Sequence, residues 1–260
     1  MNMYETGMLL TCVQKISKMI SKNPYYKWED VQKGYKLAKG IIEGSNNRKM
    51  FRMGNLKLEK NVFVWDLPSI ITCACACRSC YALKPERIYP QTRWNRITNL
   101  ILLEYAFYNI SWYIDMLNRM TSEIKKTCAK NPHVKYALRV HSSGDIYSDL
   151  YLKFLLQLAN KLACIDNLNI YTYTKQLDNK TIDKINSSYN NFNIVKSKIY
   201  VNNRYYINFG SKEYIEKLAG ILKDNNMSFH ICDYGQEHAH TCMGTCHACL
   251  YNDIVLFIQH

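Results

Sequence analysis

Asn61-Val62-Phe63-Val64-Trp65, then Asp66-Leu67-Pro68-Ser69-Ile70-Ile71-Thr72, then Cys73-Ala74-Cys75-Ala76-Cys77-Arg78-Ser79-Cys80, is the stretch on which the reading of this chain turns. The valine and aromatic run at 61–65 predicts a strand. Pro68 carries the chain out of it into a loop that holds four cysteines. Cys73, Cys77 and Cys80 have the spacing C-x3-C-x2-C. A short loop of that spacing can set three thiolates around one inorganic core, and soft thiolates suit iron–sulfur clusters or zinc. Ala74, Ala76 and Ser79 are small enough for the loop backbone to approach such a core.

The same spacing returns at Cys242, Cys246 and Cys249, with Cys232 ten positions before it. Three ligands leave one iron open to a further ligand, whereas four close a site and favour a structural or electron-relay role. Two such triplets in one chain argue against chance. The expected metal ligands are therefore Cys73, Cys77, Cys80, Cys232, Cys242, Cys246 and Cys249, around one or two [4Fe–4S] clusters. Zinc is the alternative, held by the C-x2-C pairs 77/80 and 246/249. His238, His240 and His247 flank the second triplet and read as loop histidines before they read as ligands. Cys12, Cys128 and Cys164 stand singly in helical patterns and read as core residues.

Composition sets the frame for these thiols. The chain has 260 residues, 11 of them cysteine, and 48% are hydrophobic, enough for a full core. No run of 18 or more apolar residues occurs, so no membrane span is expected. Met1 to Glu5 lacks a basic signal region, and the apolar stretch Met8 to Val13 is too short for a signal peptide. The expected location is the cytoplasm, where a reducing environment disfavours disulfides and turns crowded cysteines toward metal chemistry. Lys and Arg total 34 against 21 acids, a formal net charge of +13. Residues 1–60 hold twelve Lys/Arg against five Asp/Glu, and 84–96 adds Lys84, Arg87, Arg93 and Arg96 against Glu86. Such a distribution suits RNA or DNA as a partner, with a solvated lysine-rich face as the plainer reading.

Outward from the cysteine loop, the chain alternates. Helices are expected at 7–22 and 28–42, the second with Trp28, Val31, Tyr35, Leu37, Ala38, Ile41 and Ile42 near a 3.6-residue period. Residues 91–129 read as one long helix or two consecutive ones. Strands follow at 136–141, 169–173, 192–195, 205–209 and 227–232, with helices at 148–163, 178–188 and 211–224. Alternation of this kind implies parallel strands joined by right-handed crossovers. The units are too few for an eight-fold barrel, so the expected fold is α/β, an open partial (β/α) barrel. The expected organisation is a basic helical region at 1–60, the barrel at 61–231, and a cysteine-rich module at 232–260.

A strand, then Cys73-x3-Cys77-x2-Cys80, then a helix resembles the opening of the radical SAM superfamily. The next strand runs into Ser142-Ser143-Gly144-Asp145 and is followed by a helix carrying Leu150, Phe154, Leu155 and Leu158. That loop looks like the Gly-Gly-Glu-Pro loop of the superfamily, with Asp in place of Glu and no proline. Ser79 stands where the superfamily usually has an aromatic residue. The resemblance implies a [4Fe–4S] cluster on Cys73, Cys77 and Cys80, with S-adenosylmethionine (SAM) on the fourth iron. It implies a cofactor-binding set of Ser143, Gly144, Asp145, Tyr81, Lys175 and Ser197, in which Ser143 and Asp145 hold the methionine amino group.

Closer at hand, Cys80-Tyr81-Ala82, Arg139 to Ser148, Tyr171-Thr172-Tyr173-Thr174-Lys175 and the closing cysteine module resemble a family of bacteriophage proteins named for gene product 88 of a mycobacteriophage. This resemblance implies a phage or prophage origin and the host cytoplasm as location. Two functions are then expected to compete. One is a radical SAM-like enzyme acting on RNA or a related substrate. The other is a non-catalytic, cluster-stapled protein that binds nucleic acid or a host defence protein.

Overall fold

The computed structural model of the chain describes residues 1–54, 60–73, 80, 82–202, 204–207, 209–232, 248–252 and 254–258. They fall into two compact units. One comprises Met1–Phe51, Trp65–Ile124 and His141–Leu158, and the other Arg52–Val64, Lys125–Val140 and Ala159–His260.

The first unit is helical. α1 (Met3–Ile20) starts at Asn2, whose side chain accepts from Glu5 N while Glu5 caps Asn2 N in return. That reciprocal capping satisfies two otherwise orphaned donors and starts the helix four residues earlier than its apolar period does. α2 (Trp28–Ile42) buries Val31, Gly34, Ala38 and Ile41. Trp28 does not share that face and is 48% exposed. In the second unit lie two short elements of the next stretch, β1 (Arg52–Met53) and β2 (Val62–Trp65), of which Trp65 belongs to the first. α3 (Leu83–Ile88) was not anticipated from sequence. α4 (Pro90–Tyr108) opens on a proline, which needs no hydrogen-bond partner at that position. α5 (Ile110–Lys130) is a separate helix. Asn109 makes the break: its extended backbone (φ −128°, ψ 102°) ends α4, and its side chain caps Trp112 N at 2.9 Å. α4 is buried from Arg96 to Ala106 and packs against α1 and α2.

Strand β3 (Tyr136–Val140), helix α6 (Asp149–Leu162), β4 (Leu168–Thr174), α7 (Asn179–Ser188) and β5 (Phe192–Lys196) follow the predicted alternation to within one or two residues. Leu150, in the first turn of α6, is 56% exposed. The strands form a five-stranded sheet in the order β1-β2-β3-β4-β5. β1 is antiparallel to β2, and β3, β4 and β5 are parallel. Ala137 N donates to Asn61 O, and four residues further along each strand His141 N donates to Trp65 O, so β2 and β3 also run parallel. The sheet is open and mixed, and no barrel closes among the described residues.

The remaining strands do not extend this sheet, which corrects the single parallel series expected from sequence. β6 (Lys198–Val201) and β7 (Arg204–Ile207) form an antiparallel hairpin across Asn202, whose φ of 50° suits a tight two-residue turn. β8 (Phe209–Gly210), α8 (Lys212–Asp224), β9 (His230–Cys232), α9 (Ala248–Tyr251) and β10 (Val255–Ile258) follow among the described residues. β10, missed in the sequence, lies between β8 and β9 and pairs with both in parallel. Ile215, Leu218 and Leu222 of α8 pack with Ile254 and Leu256 beside this second sheet. No helix among the described residues is long and apolar enough to cross a membrane.

Candidate functional site

In the first unit two loops meet. One runs from Asp66 to Cys73, the entry to the first cysteine triplet; the other from His141 to Ile146. Asp66 clamps the second loop: its Oδ1 accepts from Ser142 N (2.8 Å), Ser142 Oγ (2.6 Å) and Ser143 N (3.2 Å). Leu67 N donates to Ser143 O at 3.0 Å. Gly144 sits hard against the entry loop with φ +92°. A Cβ there would lie 2.7 Å from Leu67 Cβ and 2.8 Å from Thr72 Oγ1, so only glycine fits. Thr72 immediately precedes Cys73, so the glycine of the Ser-Gly-Asp loop touches the chain at the point where the cysteine triplet begins.

Two non-glycine residues here also adopt left-handed backbone conformations, Ile70 at φ 64° and His141 at φ 67°. The conformation is costly for a β-branched residue and persists only where the surroundings over-determine it. They do so around Ile70: Thr72 N and Thr72 Oγ1 both donate to Pro68 O, and Cys73 N donates to Ile70 O. His141 is fully packed, with Nε2 2.8 Å from Tyr151 Oη. Burial lowers its pKa to about 3, against a smaller opposing pull from Asp66, so the ring is neutral.

Ser143 and Asp145 are 4% and 5% exposed. Asp145 Oδ1 accepts from Ile146 N at 2.7 Å. Among the described residues Ser143 Oγ is buried without a hydrogen-bond partner. An unmet buried hydroxyl costs about 1–3 kcal/mol, so this atom marks a place where a further donor or acceptor would be stabilised.

Glu86, Arg96 and Asp66 support this arrangement. Glu86 is fully buried and accepts from Asn23 Nδ2, Tyr26 Oη, Ser69 N, Ser69 Oγ and Arg96 Nη1. Arg96 also donates to Ala82 O at 3.2 Å and lies 3.8 Å from Asp66. Burial would lower the Arg96 pKa, but Asp66 and Glu86 more than offset it and keep the guanidinium charged. Arg96 thereby ties Ala82, two residues past Cys80, to the carboxylate that clamps the Ser-Gly-Asp loop. The sequence reading gave Arg93 and Arg96 to a polyanion surface, and the structure corrects this. Arg96 is 5% exposed, and Arg93 is engaged with Asp30 at 2.9 Å and with Glu86 O at 2.6 Å.

The second unit holds Cys232 and Cys249. Tyr173 Oη donates to Cys249 Sγ at 2.7 Å, and Asn193 Nδ2 donates to Cys249 O at 2.9 Å. Phe257 packs edge-on against Tyr173, and Phe257 is the β10 partner of Cys232. Paired residues of neighbouring strands project to the same face, so Cys232 lies on the face that meets Tyr173. Arg139 lies 5.5 Å from the Tyr173 ring centre. Burial, then Cys249, pushes the Tyr173 hydroxyl well above its usual pKa, so it remains a donor. Lys175 and Ser197 also lie in this unit, where Ser197 N donates to Thr174 O at 3.0 Å.

Cys75, Cys77, Tyr81, Cys242, Cys246, His238, His240 and His247 lie outside the described residues. No group of three His, Cys, Asp or Glu able to hold a metal ion occurs among the described residues. Each expected ligand set has members beyond them. Cys12 and Cys128 are core thiols, as expected, pushed by burial up to about 12 and about 11. Cys164 is exposed instead, because it follows the end of α6. Asp66, Glu86 and Tyr173 were not singled out from sequence. Asp66 alone carried a signal, as a carboxylate directly after a strand.

Fold and site together define a mixed α/β protein in which a glycine-bearing polar loop is packed against the entry to a cysteine triplet. The chain matches the model of the family described as Gene product 88 over residues 36–243, most of its length, and it belongs to that family. The match takes in the first triplet and the Ser-Gly-Asp loop and ends before Cys246 and Cys249. No curated protein and no solved structure matches the chain.

Proposed function

We propose that this chain is a phage-type iron–sulfur protein of the host cytoplasm with a radical SAM-like, partly wound β/α barrel. In this reading Cys73, Cys77 and Cys80 hold a [4Fe–4S] cluster, and Ser143, Gly144 and Asp145 receive the amino group of SAM. The observation that carries it is the contact of Gly144 with Thr72, beside a buried Ser143 hydroxyl that lacks a partner among the described residues. The sequential strand order β2-β3-β4-β5, without a reversal, is also the winding of a β/α barrel.

Thiolates in a C-x3-C-x2-C loop fit the cluster, and a loop of hydroxyl and carboxylate acceptors fits an ammonium group. A cluster with SAM supplies one-electron chemistry that ends in hydrogen abstraction from a substrate. The protein's part is to fix the loop through Asp66, to set the cysteine entry through Thr72, and to offer Ser143 Oγ and the Asp145 carboxylate as acceptors. Tyr81 completes the proposed cofactor set, and Lys175 and Ser197, which lie in the second unit, are not assigned to it. Cys232, Cys242, Cys246 and Cys249 hold a second cluster or a zinc ion, with Tyr173 donating to Cys249.

A second reading, a non-catalytic cluster-stapled binder of nucleic acid or a host protein, draws on the Asp145 carboxylate being buried and already bonded to Ile146 N. Calorimetry and EPR on the anaerobically reconstituted protein separate the two. The enzyme reading expects SAM to bind and to change the cluster's EPR spectrum. Asp145→Asn should weaken that binding by roughly 1.5–3 kcal/mol, the range for hydrogen bonds to charged groups. Cys249→Ala should leave it intact. No binding and an unchanged spectrum would leave the binder.

A further inference from the structure

The acids in and around the basic stretch at 84–96 are turned inward. Asp30 is 3% exposed and Glu86 is fully buried. Asp30 is consumed by Lys27 N, Arg93 Nε and Trp94 Nε1, and Glu86 by the five donors described above. What faces water here is of the opposite sign: Lys27, Lys33, Lys84 and Arg87 are exposed, with Glu29 the one exposed acid at 27–30 and 83–90.

Two large aromatic side chains stand among these cations. Trp28 is 48% exposed and Tyr89 58%. The two stretches are stitched together at Asp30, and Arg93 donates onward to Glu86 O, so Trp28 and Tyr89 flank one node. Lys33 Nζ lies 5.4 Å from the Trp94 ring centre, which draws α2 into the same patch. Charge by itself suits any polyanion. Interleaved exposed aromatics suit one whose flat groups are available for stacking, which is single-stranded nucleic acid. In a duplex the bases are already stacked, and in an acidic polypeptide there are none.

We propose that this surface, the first turns of α2 with α3 and the residues that follow it, binds single-stranded nucleic acid. Trp28 and Tyr89 stack bases, and Lys27, Lys33, Lys84 and Arg87 meet phosphates. Leu83 N donates to Cys80 O at 3.1 Å, so the surface begins where the first cysteine triplet ends. That position makes single-stranded nucleic acid the substrate class of the triplet's site, a role that rests on the reading in the preceding section; the binding surface does not.

The test is fluorescence anisotropy of the purified chain with labelled single strands of about 12 nucleotides, RNA and DNA, and with a duplex of equal length. Single strands should bind more tightly than the duplex. Trp28→Ala and Tyr89→Ala should each weaken single-strand binding on the order of tenfold with unchanged melting temperature, because both side chains are exposed. Replacing Lys27, Lys33, Lys84 and Arg87 by Ala should flatten the log–log salt slope by roughly 3. The same change at the exposed Lys125, Lys126 and Lys130 should leave affinity as it is. Equal duplex binding, wild-type affinity in both aromatic variants, full competition by polyglutamate, or no binding at low salt would each overturn the proposal. Iron content and SAM binding, measured on the same preparations, report on the cluster reading separately.

Discussion

Arg96, Glu86 and Asp66 illustrate how a residue's charge can be spent inside the molecule. Arg96 has carboxylates on two sides and is 5% exposed. Arg96→Ala would strand a fully buried Glu86, and breaking a buried pair from one side costs about 3–5 kcal/mol. Urea unfolding should show that loss. Arg96→Lys should recover only part of it, because one ammonium cannot bridge Ala82 O and both carboxylates. His141 makes a prediction in pH. Its folded pKa of about 3 lies below its usual value near 6.5, so the unfolded chain binds the extra proton between them. Its contribution to stability is therefore complete above about pH 6.5 and is lost progressively as pH falls toward 3. His141→Asn, which tolerates φ 67°, should flatten this acid limb in thermal melts taken across that range. An unchanged limb would mean that other groups set the acid sensitivity.

At the scale of elements, the approach of α2 to α4 depends on Gly34. A Cβ there would lie 2.4 Å from Ile97 Cγ2 and 3.3 Å from Thr98 N. Gly34→Ala should therefore destabilise the first unit by about 1–3 kcal/mol, the usual cost of overpacking, despite alanine's better helix propensity. A stabilised variant in denaturant titration would show that the two helices can separate without penalty. α9 is tied to β4 by the Tyr173–Cys249 hydrogen bond and to β5 by Asn193. Tyr173→Phe removes one donor and leaves the ring's packing on Phe257 in place. If Cys249 is a metal ligand, that change should speed metal loss to a chelator from the second cysteine set. Groups that orient ligands commonly alter metal affinity 10- to 100-fold. Equal chelation rates would reduce Tyr173 to a packing residue.

For the whole molecule, the decisive quantity is metal content. Anaerobically purified protein should be brown and absorb near ~400 nm, as thiolate-bound iron–sulfur clusters do. Cys77→Ala and Cys246→Ala should each remove part of the iron and lower stability, because metal-binding free energy is partly folding free energy. A colourless protein carrying only zinc after reconstitution would exchange the clusters for structural zinc sites and remove the basis for SAM chemistry.

Much of the architecture was legible because it depends on local order along the chain. Alternating apolar strands and amphipathic helices from Tyr136 to Lys196 follow from side-chain period, and the triplets at 73–80 and 242–249 follow from spacing alone. Other features depend on which segments come together. Asn109 splits a continuous helical pattern through one backbone conformation and one cap. β10 draws β9 away from the main sheet, although Met227–Cys232 reads like the strands before it, because a strand's pattern does not name its neighbour. The sequence by itself determined the cysteine triplets, the parallel α/β rhythm and the excess of positive charge. Only the tertiary structure decided which charges reach water, since Glu86 and Asp30 draw Arg96 and Arg93 inward and leave Lys27, Lys33, Lys84 and Arg87 outside. The physical reason is that burying a charge demands a partner from elsewhere in the chain, and that partner is fixed by packing rather than by proximity in sequence.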